Sequence, residues 1–269
     1  MISTQQFSGS TVLITGASSG IGNCFARELA QRRANLIVTA RSKTELERLA
    51  DELRRKHSVR VDVIAADLAM PDAARQLFSE IQSRRLSVDV LINNAGFGKW
   101  AHFLDENLDT YDQMLSVNVD TLAQLTYLFL PHMLEKRGGG VINVASTAAF
   151  QPLPYIAMYG ATKAFVLNFT EALAAEYRNS GVRFMALCPG NTLTNFAKVA
   201  NANTTGIPGA TPEYVVTSAL RAFSKGDAYH VPGLTNYLTT LLPRLLPRRM
   251  TTAIVVGMFE NRVRKAVST

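Results

Sequence analysis

The alternation of short apolar runs with longer helical patterns is the feature that most constrains the fold of this chain. Six runs rich in Val, Ile and Leu predict strands at 11–15, 36–40, 60–66, 88–92, 141–145 and 182–187. Helical spacing of apolar residues predicts helices at 20–32, 44–56, 72–84, about 110–134 and 158–179. Because apolar strands joined by helices form parallel sheets covered on both faces, we predict a doubly wound, mainly parallel α/β domain.

The length of 269 residues suits one large domain, and neither a linker nor a repeat divides it. We expect a single domain over 1–269, with a core at about 8–231 and an amphipathic, basic extension at 232–269. Two cysteines, Cys24 and Cys188, exclude a disulfide scaffold and a cysteine-based zinc site and indicate a reducing compartment. No signal-peptide pattern or long apolar run is present, so we expect a cytoplasmic protein.

A glycine-rich segment, TGASSGIG at 15–22, follows the first predicted strand and opens the first predicted helix. Its glycines let the backbone turn tightly and approach a pyrophosphate, and the helix N-terminus offers free N–H groups to that anion. The alternative is an ordinary strand-to-helix turn, but the position in an alternating chain favours a dinucleotide site. The predicted cofactor-binding residues here are Gly16, Ser18, Ser19, Gly20, Ile21 and Gly22.

The end of the second strand indicates which dinucleotide is bound. An acidic side chain at this point would bind the ribose hydroxyls of NAD, but the sequence reads Thr39-Ala40-Arg41-Ser42-Lys43. The guanidinium of Arg41 can form a forked pair with a 2′-phosphate, and Ser42 can assist it. We therefore predict NADP, with NADPH preferred over NADH; the alternative is that Arg41 is a solvated surface residue.

Tyr159 is the only one of eight tyrosines with a lysine four residues on, Lys163, a spacing that puts both side chains on one helix face. A nearby ammonium favours the phenolate and lowers the tyrosine pKa. The alternative is that Tyr159 and Lys163 form an exposed pair on the helix surface with no catalytic role. Ser146 follows a predicted strand, where its hydroxyl can bond a substrate oxygen or serve turn chemistry. Asn118, within a predicted helix, can bond a water or be a satisfied core asparagine.

In order and spacing, these motifs resemble those of the short-chain dehydrogenase/reductase family. The matching segments are TGASSGIG at 15–22, NNAG at 93–96, Ser146 with Tyr159 and Lys163, and Pro189-Gly190, so that the resemblance covers about 8–229. It implies a Rossmann sheet of about seven strands and a homo-dimer or homo-tetramer. It also implies hydride transfer between a nicotinamide and a carbonyl or alcohol carbon, with no metal.

The resemblance implies a role for each matched residue. Tyr159 would be the general acid or base, Ser146 would orient the carbonyl, and Lys163 would lower the tyrosine pKa and bond the nicotinamide ribose. Asn118 would hold a proton-relay water. Further cofactor contacts would come from Asp67 and Leu68 at the adenine, Asn94, Ala95 and Gly96 at its ribose, and Pro189, Gly190 and Thr192 at the nicotinamide. The four histidines, His57, His102, His132 and His230, are scattered and show no ligand spacing.

The segment at 192–212 is irregular, and we expect it to form a mobile lid on one wall of the substrate pocket. The expected wall residues are mostly apolar, which favours an apolar ketone or aldehyde as substrate. The other wall residues are Gln151, Leu153, Tyr155 and Phe196. Two other functions are compatible with parts of the sequence. A non-enzymatic NADP sensor would typically lack Tyr159 or Lys163, and a peripheral scaffold would depend little on Tyr159.

The last part of the chain is apolar and basic. Segment 241–269 carries six Lys or Arg and one acid, too local a charge for a nucleic-acid-binding face. An apolar stripe at helical spacing precedes and enters it, formed by Leu234, Tyr237, Leu238, Leu241, Leu242, Leu245 and Leu246. We expect Pro243 and Pro247 to kink or end this helix. The stripe at 234–249 can contact a membrane surface or wall a long apolar substrate, but packing on its own domain or a subunit partner is favoured.

Overall fold

A computed structural model describes residues 7–264 of the chain. Its sheet has seven strands: β1 (Thr11–Thr15), β2 (Asn35–Ala40), β3 (Val61–Ala65), β4 (Val90–Asn93), β5 (Gly140–Val144), β6 (Arg183–Leu187) and β7 (Tyr229–His230). They lie in the order β3-β2-β1-β4-β5-β6-β7, and every neighbouring pair is parallel. The prediction of a single α/β domain with a doubly wound parallel sheet is confirmed.

Ten α-helices connect and cover the strands in the described part of the chain. They are α1 (Gly20–Gln31), α2 (Lys43–His57), α3 (Ala73–Ser83), α4 (Leu108–Leu115), α5 (Leu122–Glu135), α6 (Ala157–Glu176), α7 (Phe196–Val199), α8 (Pro212–Lys225), α9 (Leu234–Leu245) and α10 (Arg248–Arg264). A π-helical turn, Ser116–Thr121, joins α4 to α5, so the predicted helical stretch at about 110–134 is continuous but locally widened. Such turns often occur at functional sites.

Alternate residues of each strand face opposite layers of helices, as the pleat requires. Val12 and Ile14 belong to a core with α1, α2 and α8, whereas Leu13 belongs to a core with α3, α5 and part of α6. Every residue of β1 is buried, because helices cover the sheet on both sides.

The strand order reverses between β1 and β4, since β2 and β3 continue to one side and β5 to β7 to the other. In such sheets the loops diverge at that point and leave a crevice at the carboxyl ends of the strands. The crevice is where a ligand is expected, and it lies beside the glycine-rich turn.

The C-terminal helices differ from the sequence prediction. Pro243 was expected to kink or end its helix, but it lies inside α9, which runs to Leu245. A proline so near the end disrupts little of the helical ladder, and the last turn still closes, with the Leu246 N–H donating to the Leu242 carbonyl at 3.1 Å. Among residues 7–264, no helix is both long and apolar enough to span a bilayer.

Candidate active site

The predicted site residues follow the carboxyl ends of the first six strands or begin the helices after them. Gly16 to Gly22 follow β1, Arg41 and Ser42 follow β2, and Asp67 and Leu68 follow β3. Asn94, Ala95 and Gly96 follow β4, Ser146 follows β5, Tyr159 and Lys163 lie on α6, and Pro189, Gly190 and Thr192 follow β6. Asn118 lies in the π-helical turn. The parallel sheet therefore brings together residues that are up to 176 positions apart, counted from Gly16 to Thr192.

The glycine-rich turn is built so closely that side chains do not fit in it. Gly16 has φ of +66°, which L-residues adopt at a cost. A Cβ on Gly22 would lie 2.4 Å from the Gly16 carbonyl oxygen and 2.5 Å from Asn94 Nδ2. The start of α1 therefore packs directly on the turn and on the segment after β4.

Two observations at this end of the sheet fit a phosphorylated dinucleotide. Ser19 is the N-cap of α1 but its side chain makes no capping hydrogen bond, and no acidic residue lies in the first turn. The first N–H groups of α1 thus lack a side-chain acceptor, as an anion-binding helix terminus requires. Arg41 is exposed and makes no ion pair within residues 7–264, while Ser42 caps α2 by accepting the Glu45 N–H at 3.4 Å.

Thr15 ties the glycine-rich turn to the segment after β4, a role that sequence analysis did not assign. Its hydroxyl oxygen accepts the N–H groups of Asn94 and Ala95, each at 2.9 Å. The Asn94 side chain in turn donates to the carbonyls of Thr15 at 2.9 Å and Gly16 at 3.2 Å. These bonds fix the relative position of two loops that would contact the same cofactor; a buried threonine at the end of β1 was the available signal.

Asn118 is fully buried, and its amide is held by protein partners. Its Nδ2 donates to the Phe97 carbonyl at 2.9 Å and to Thr162 Oγ1 at 3.0 Å, while its Oδ1 accepts the Phe97 N–H at 3.1 Å. Both side-chain donors are thus in use, and the oxygen already accepts one hydrogen bond. The side chain clamps the loop after β4 to α6.

Ser146, Tyr159 and Lys163 meet at the carboxyl end of β5. Ser146 Oγ accepts the Ala148 N–H at 3.1 Å and donates to the Pro189 carbonyl oxygen at 3.4 Å. Lys163 Nζ donates to the Val144 carbonyl at 2.7 Å and lies 5.7 Å from the centre of the Tyr159 ring. The three side chains therefore lie together at one end of the sheet.

The protonation of this group differs from the sequence expectation. Burial raises the pKa of Tyr159 to about 12, and the hydrogen bond with Ser146 offsets only part of that rise. Burial lowers the pKa of Lys163 to about 8, because the charged amine is poorly solvated. The expected lowering of the Tyr159 pKa by Lys163 is not found, since the amine is held on the main chain of β5 and desolvation dominates. Burial therefore favours the protonated phenol of Tyr159.

A cluster of packed apolar side chains, here called the chamber, surrounds the Tyr159 ring. A Cβ on Gly98 would lie 2.8 Å from Tyr159 Cδ2, and the Phe196 ring centre is 5.5 Å from that of Tyr159. The wider cluster comprises Trp100, Ala148, Leu153, Tyr155, Ile156, Tyr159, Val255 and Phe259. Three of the expected wall residues, Leu153, Tyr155 and Phe196, thus lie at the tyrosine, whereas Gln151 is half-buried just after the 3-10 helix Thr147–Phe150.

The contribution of α10 to this chamber was missed in the sequence. Val255 is buried against Leu153 and Ile156, and the rings of Phe259 and Trp100 meet edge to face with centres 4.9 Å apart. The i, i+4 spacing of Val255 and Phe259 was the signal available in the sequence. Arg262 of the same helix donates to the Asn203 carbonyl at 2.9 Å, so α10 also fastens the segment at 192–212.

The remaining predicted cofactor-binding residues are held in place by hydrogen bonds that involve main-chain groups. Asp67 accepts the Ala69 N–H at 3.1 Å, and the Leu68 carbonyl accepts the Thr121 hydroxyl at 2.8 Å. The Pro189 carbonyl accepts the Thr147 N–H at 3.0 Å, and the Thr192 hydroxyl donates to the Gly190 carbonyl at 3.0 Å. Gly190 is closely overlaid by α9, because a Cβ on it would lie 2.7 Å from the Asn236 side chain.

Other polar groups lie apart from the chamber. The histidines occupy separate places: His57 ends α2, His102 packs edge to face on Tyr155, His132 lies in α5 and His230 in β7. A cavity of about 620 Å³ opens beside β7 and is lined by Glu171, Tyr214, Asp227, Ala228, Tyr229, His230, Val231, Gly233, Leu234 and Tyr237. None of the predicted catalytic residues lines it, so it is not the place of the predicted chemistry.

Comparison with known proteins agrees with this geometry. Residues 10–205 match the family model described as short chain dehydrogenase. The chain is 33% identical over 218 residues to the very-long-chain 3-oxoacyl-CoA reductase of Anas platyrhynchos, covering 79% of this chain and 68% of that protein.

Solved structures give the same result. A short-chain dehydrogenase from Sphingobium yanoikuyae in complex with NADPH is 32% identical, with a TM-score of 0.79 over 84% of this chain and 88% of that one. The bulky-bulky ketone specific alcohol dehydrogenase from Comamonas testosteroni is 30% identical, with a TM-score of 0.75 over 88% and 93%. The chain is therefore an oxidoreductase that belongs to the short-chain dehydrogenase family.

Proposed function

We propose that this enzyme uses NADPH to reduce an apolar ketone or aldehyde to the alcohol, with Tyr159 as the proton donor. The observation that carries the proposal is that Ser146, Tyr159 and Lys163 lie together at the carboxyl end of β5, beside a cluster of apolar side chains. The match to the short chain dehydrogenase model and to reductases and ketone-specific relatives supports the reaction class.

The proposed step needs a proton at the carbonyl oxygen and a hydride at its carbon. NADPH, when bound, supplies the hydride. The Ser146 hydroxyl hydrogen-bonds the carbonyl oxygen and orients it beside the Tyr159 hydroxyl. The phenol then releases its proton to that oxygen as negative charge develops there. A pKa of about 12 suits this direction, because the phenol is fully protonated before the substrate arrives.

Lys163 supports the proton transfer electrostatically. Its amine is buried and donates to the Val144 carbonyl, so its position is fixed. In the proposed enzyme it also bonds the nicotinamide ribose and balances the charge on Tyr159 once the proton has left. Asn118 holds the loop after β4 against α6, and a relay water would bond its main-chain carbonyl.

The proposed cofactor site runs along the carboxyl ends of β1 to β6. The uncapped start of α1, with Gly16, Ser18, Ser19, Gly20, Ile21 and Gly22, would hold the pyrophosphate. Arg41 and Ser42 would hold the 2′-phosphate, because an exposed guanidinium can form a forked pair with it. Asp67 and Leu68 would contact the adenine, Asn94, Ala95 and Gly96 its ribose, and Pro189, Gly190 and Thr192 the nicotinamide.

The substrate proposed is bulky and apolar. Leu153, Tyr155 and Phe196 surround Tyr159, and Val255 and Phe259 extend the same apolar lining from α10. Relatives that act on very-long-chain 3-oxoacyl-CoA and on bulky ketones support a large substrate. We further propose a catalytic core at about 8–231 with an extension at 232–269, a cytoplasmic homo-dimer or homo-tetramer, and a membrane-surface contact through 234–249.

The test is NADPH oxidation, with NADH in parallel, over a panel of aldehydes, bulky ketones and 3-oxoacyl thioesters. We expect turnover that prefers NADPH and apolar ketones. Tyr159→Phe should abolish it and leave NADPH binding, measured by fluorescence, unchanged. If the variant keeps wild-type turnover, the assigned proton donor is wrong; if NADPH binds tightly but no carbonyl is reduced, the sensor class gains instead.

A further inference from the structure

The helix pair formed by α9 and α10, here called the C-terminal hairpin, is apolar on the side that faces away from the domain. On α9 the exposed side chains include Leu234, Leu238, Leu242 and Leu245, at 73%, 53%, 51% and 79% exposure, and the buried residue is Thr240. The apolar stripe expected to pack inward therefore points outward. The sequence favours packing of this stripe on its own domain or on a subunit partner; packing of these four leucines on their own domain is wrong, and packing on a partner stays a prediction.

Helix α10, which follows α9 after two residues, has an exposed apolar side of its own. Its inner side buries Thr251, Val255 and Val263 and carries Phe259 onto the chamber of Tyr159. Its outer side exposes Met250, Ile254 and Met258, again at a spacing of four residues. A helix that is apolar on both sides is normally buried all round. Seven large apolar side chains on two adjoining helices thus lack a covering in the described residues 7–264.

The charge around this surface is of one sign. No acidic residue occurs between Asp227 and Glu260, whereas Arg244, Arg248 and Arg249 lie near the turn between the two helices and are exposed. Within residues 7–264, none of these three arginines has a carboxylate at salt-bridge distance. Arg248 and Arg249 also lie in the first turn of α10, where the helix dipole disfavours cations.

We propose that the C-terminal hairpin docks on an anionic membrane surface, with its leucines and methionines among the acyl chains and its arginines on the lipid headgroups. Apolar side chains flanked by cations are the pattern of an interfacial element, and the arginines then gain the anions that the protein does not supply. A second copy of the chain fits less well, because joining two such faces doubles the unpaired arginines without adding an acid.

This docking rests on the proposed function: it specifies the membrane-surface contact at 234–249, extends it to α10 and gives the reaction a location. The inner side of α10 lines the chamber of Tyr159 while its outer side meets the lipid. An apolar substrate dissolved in the membrane would then lie one helix away from the proton donor.

The test is flotation of the full-length protein, with NADPH present, with vesicles of phosphatidylcholine alone or with about 30 mol % phosphatidylserine. We expect binding to the anionic vesicles, weakened by about 0.5 M sodium chloride. The triple change Arg244→Gln, Arg248→Gln and Arg249→Gln should lower the partition coefficient roughly 100-fold, since each cation near the surface contributes about fivefold. Leu238→Gln with Leu242→Gln should lower it at least about tenfold.

Matched controls change equally exposed residues elsewhere. Arg75→Gln, Arg137→Gln and Arg221→Gln remove the same charge, and Met70→Gln with Tyr127→Gln remove exposed apolar groups. Both controls should bind vesicles as the wild type does. The proposal fails if anionic vesicles do not bind the wild type, or if the control and hairpin variants lose binding equally. It also fails if the leucine variant dissociates a dimer in sedimentation without vesicles, because a second copy then covers the hairpin.

The assay needs no turnover, so its result is separate from that of the proposed reaction. The hairpin variants should keep the wild-type affinity for NADPH and the wild-type thermal unfolding, since the altered side chains are exposed. A loss of vesicle binding in these folded, cofactor-binding variants therefore reports the surface alone.

Discussion

A methyl group added to Gly98 provides a sensitive test of the site geometry. In Gly98→Ala the new Cβ would lie 2.8 Å from Tyr159 Cδ2, 2.9 Å from Cγ and 3.3 Å from Phe196 Cζ. Carbon atoms in contact lie about 3.5–4.0 Å apart, so the tyrosine ring must move by roughly 0.7–1 Å. Gly98 does not have a positive φ, so alanine adds no backbone strain.

A shift of about 1 Å in a catalytic group lowers rates roughly 100-fold, which corresponds to about 2.7 kcal/mol of activation free energy. We expect kcat for the best ketone to fall by about 10- to 100-fold in Gly98→Ala, while the NADPH dissociation constant changes less than about twofold. Stopped-flow NADPH oxidation and fluorescence titration measure the two quantities. Gly138→Ala, where the nearest atom to the new Cβ is 3.7 Å away, is the matched control.

A double variant separates an effect through Tyr159 from a general disturbance. If Gly98 acts by positioning the Tyr159 hydroxyl, Gly98→Ala should leave unchanged the residual turnover of Tyr159→Phe, measured with enzyme in excess over substrate. Wild-type kcat in Gly98→Ala would refute the placement of the ring against Gly98. An equal loss in Gly138→Ala would instead mean that any added methyl disturbs the enzyme.

Three further outcomes are expected. Arg41→Ala should weaken NADPH binding about 10- to 100-fold and leave NADH binding unchanged, since a charge-assisted bond contributes roughly 1.5–3 kcal/mol; equal losses for both cofactors in titrations would contradict it. Asn118→Ala should lower the free energy of unfolding in urea by about 2–3 kcal/mol, because Phe97 and Thr162 lose buried partners, and an unchanged midpoint would contradict that assignment. The pKa of Lys163 is lowered to about 8 in the folded protein, so the unfolded chain binds more protons between pH 8 and about 10. The free energy of unfolding of the wild type, relative to that of Lys163→Met, should therefore rise by about 2–3 kcal/mol as the pH increases across that window. A flat difference in pH-dependent unfolding would mean that Lys163 is solvated.

Local chemistry explains why much of the fold was readable. The six predicted strands coincide with β1 to β6 within a few residues, because continuous apolar runs have one stable use in such a domain. The short β7 carries too few residues to form a pattern, and its place is given by β6, whose Leu187 lies beside His230. The π-helical turn around Asn118 was hidden for a similar reason, since apolar spacing hardly changes over six residues.

The residues of the candidate site were predictable from the sequence, but the hydrogen bonds and pKa values of those residues were not. Ser146, Tyr159 and Lys163 were found by spacing, but the pKa of Tyr159 depends on burial and on where the Lys163 amine is held. Burial is decided by Phe196 and by α10, which lies some hundred residues away in the chain. Desolvation is a property of the assembled surroundings, and no motif encodes it.

The succession of strands and helices, the glycine-rich turn after β1 and the residues at the strand ends are all encoded locally along the chain. These follow from side-chain size, periodicity and backbone freedom, which act over a few residues. The direction in which α9 faces is instead set by packing between distant parts of the chain. Periodicity gives a helix an apolar side, but the direction of that side depends on neighbouring surfaces, and Thr240 faces the domain while Leu238, Leu242 and Leu245 face outward.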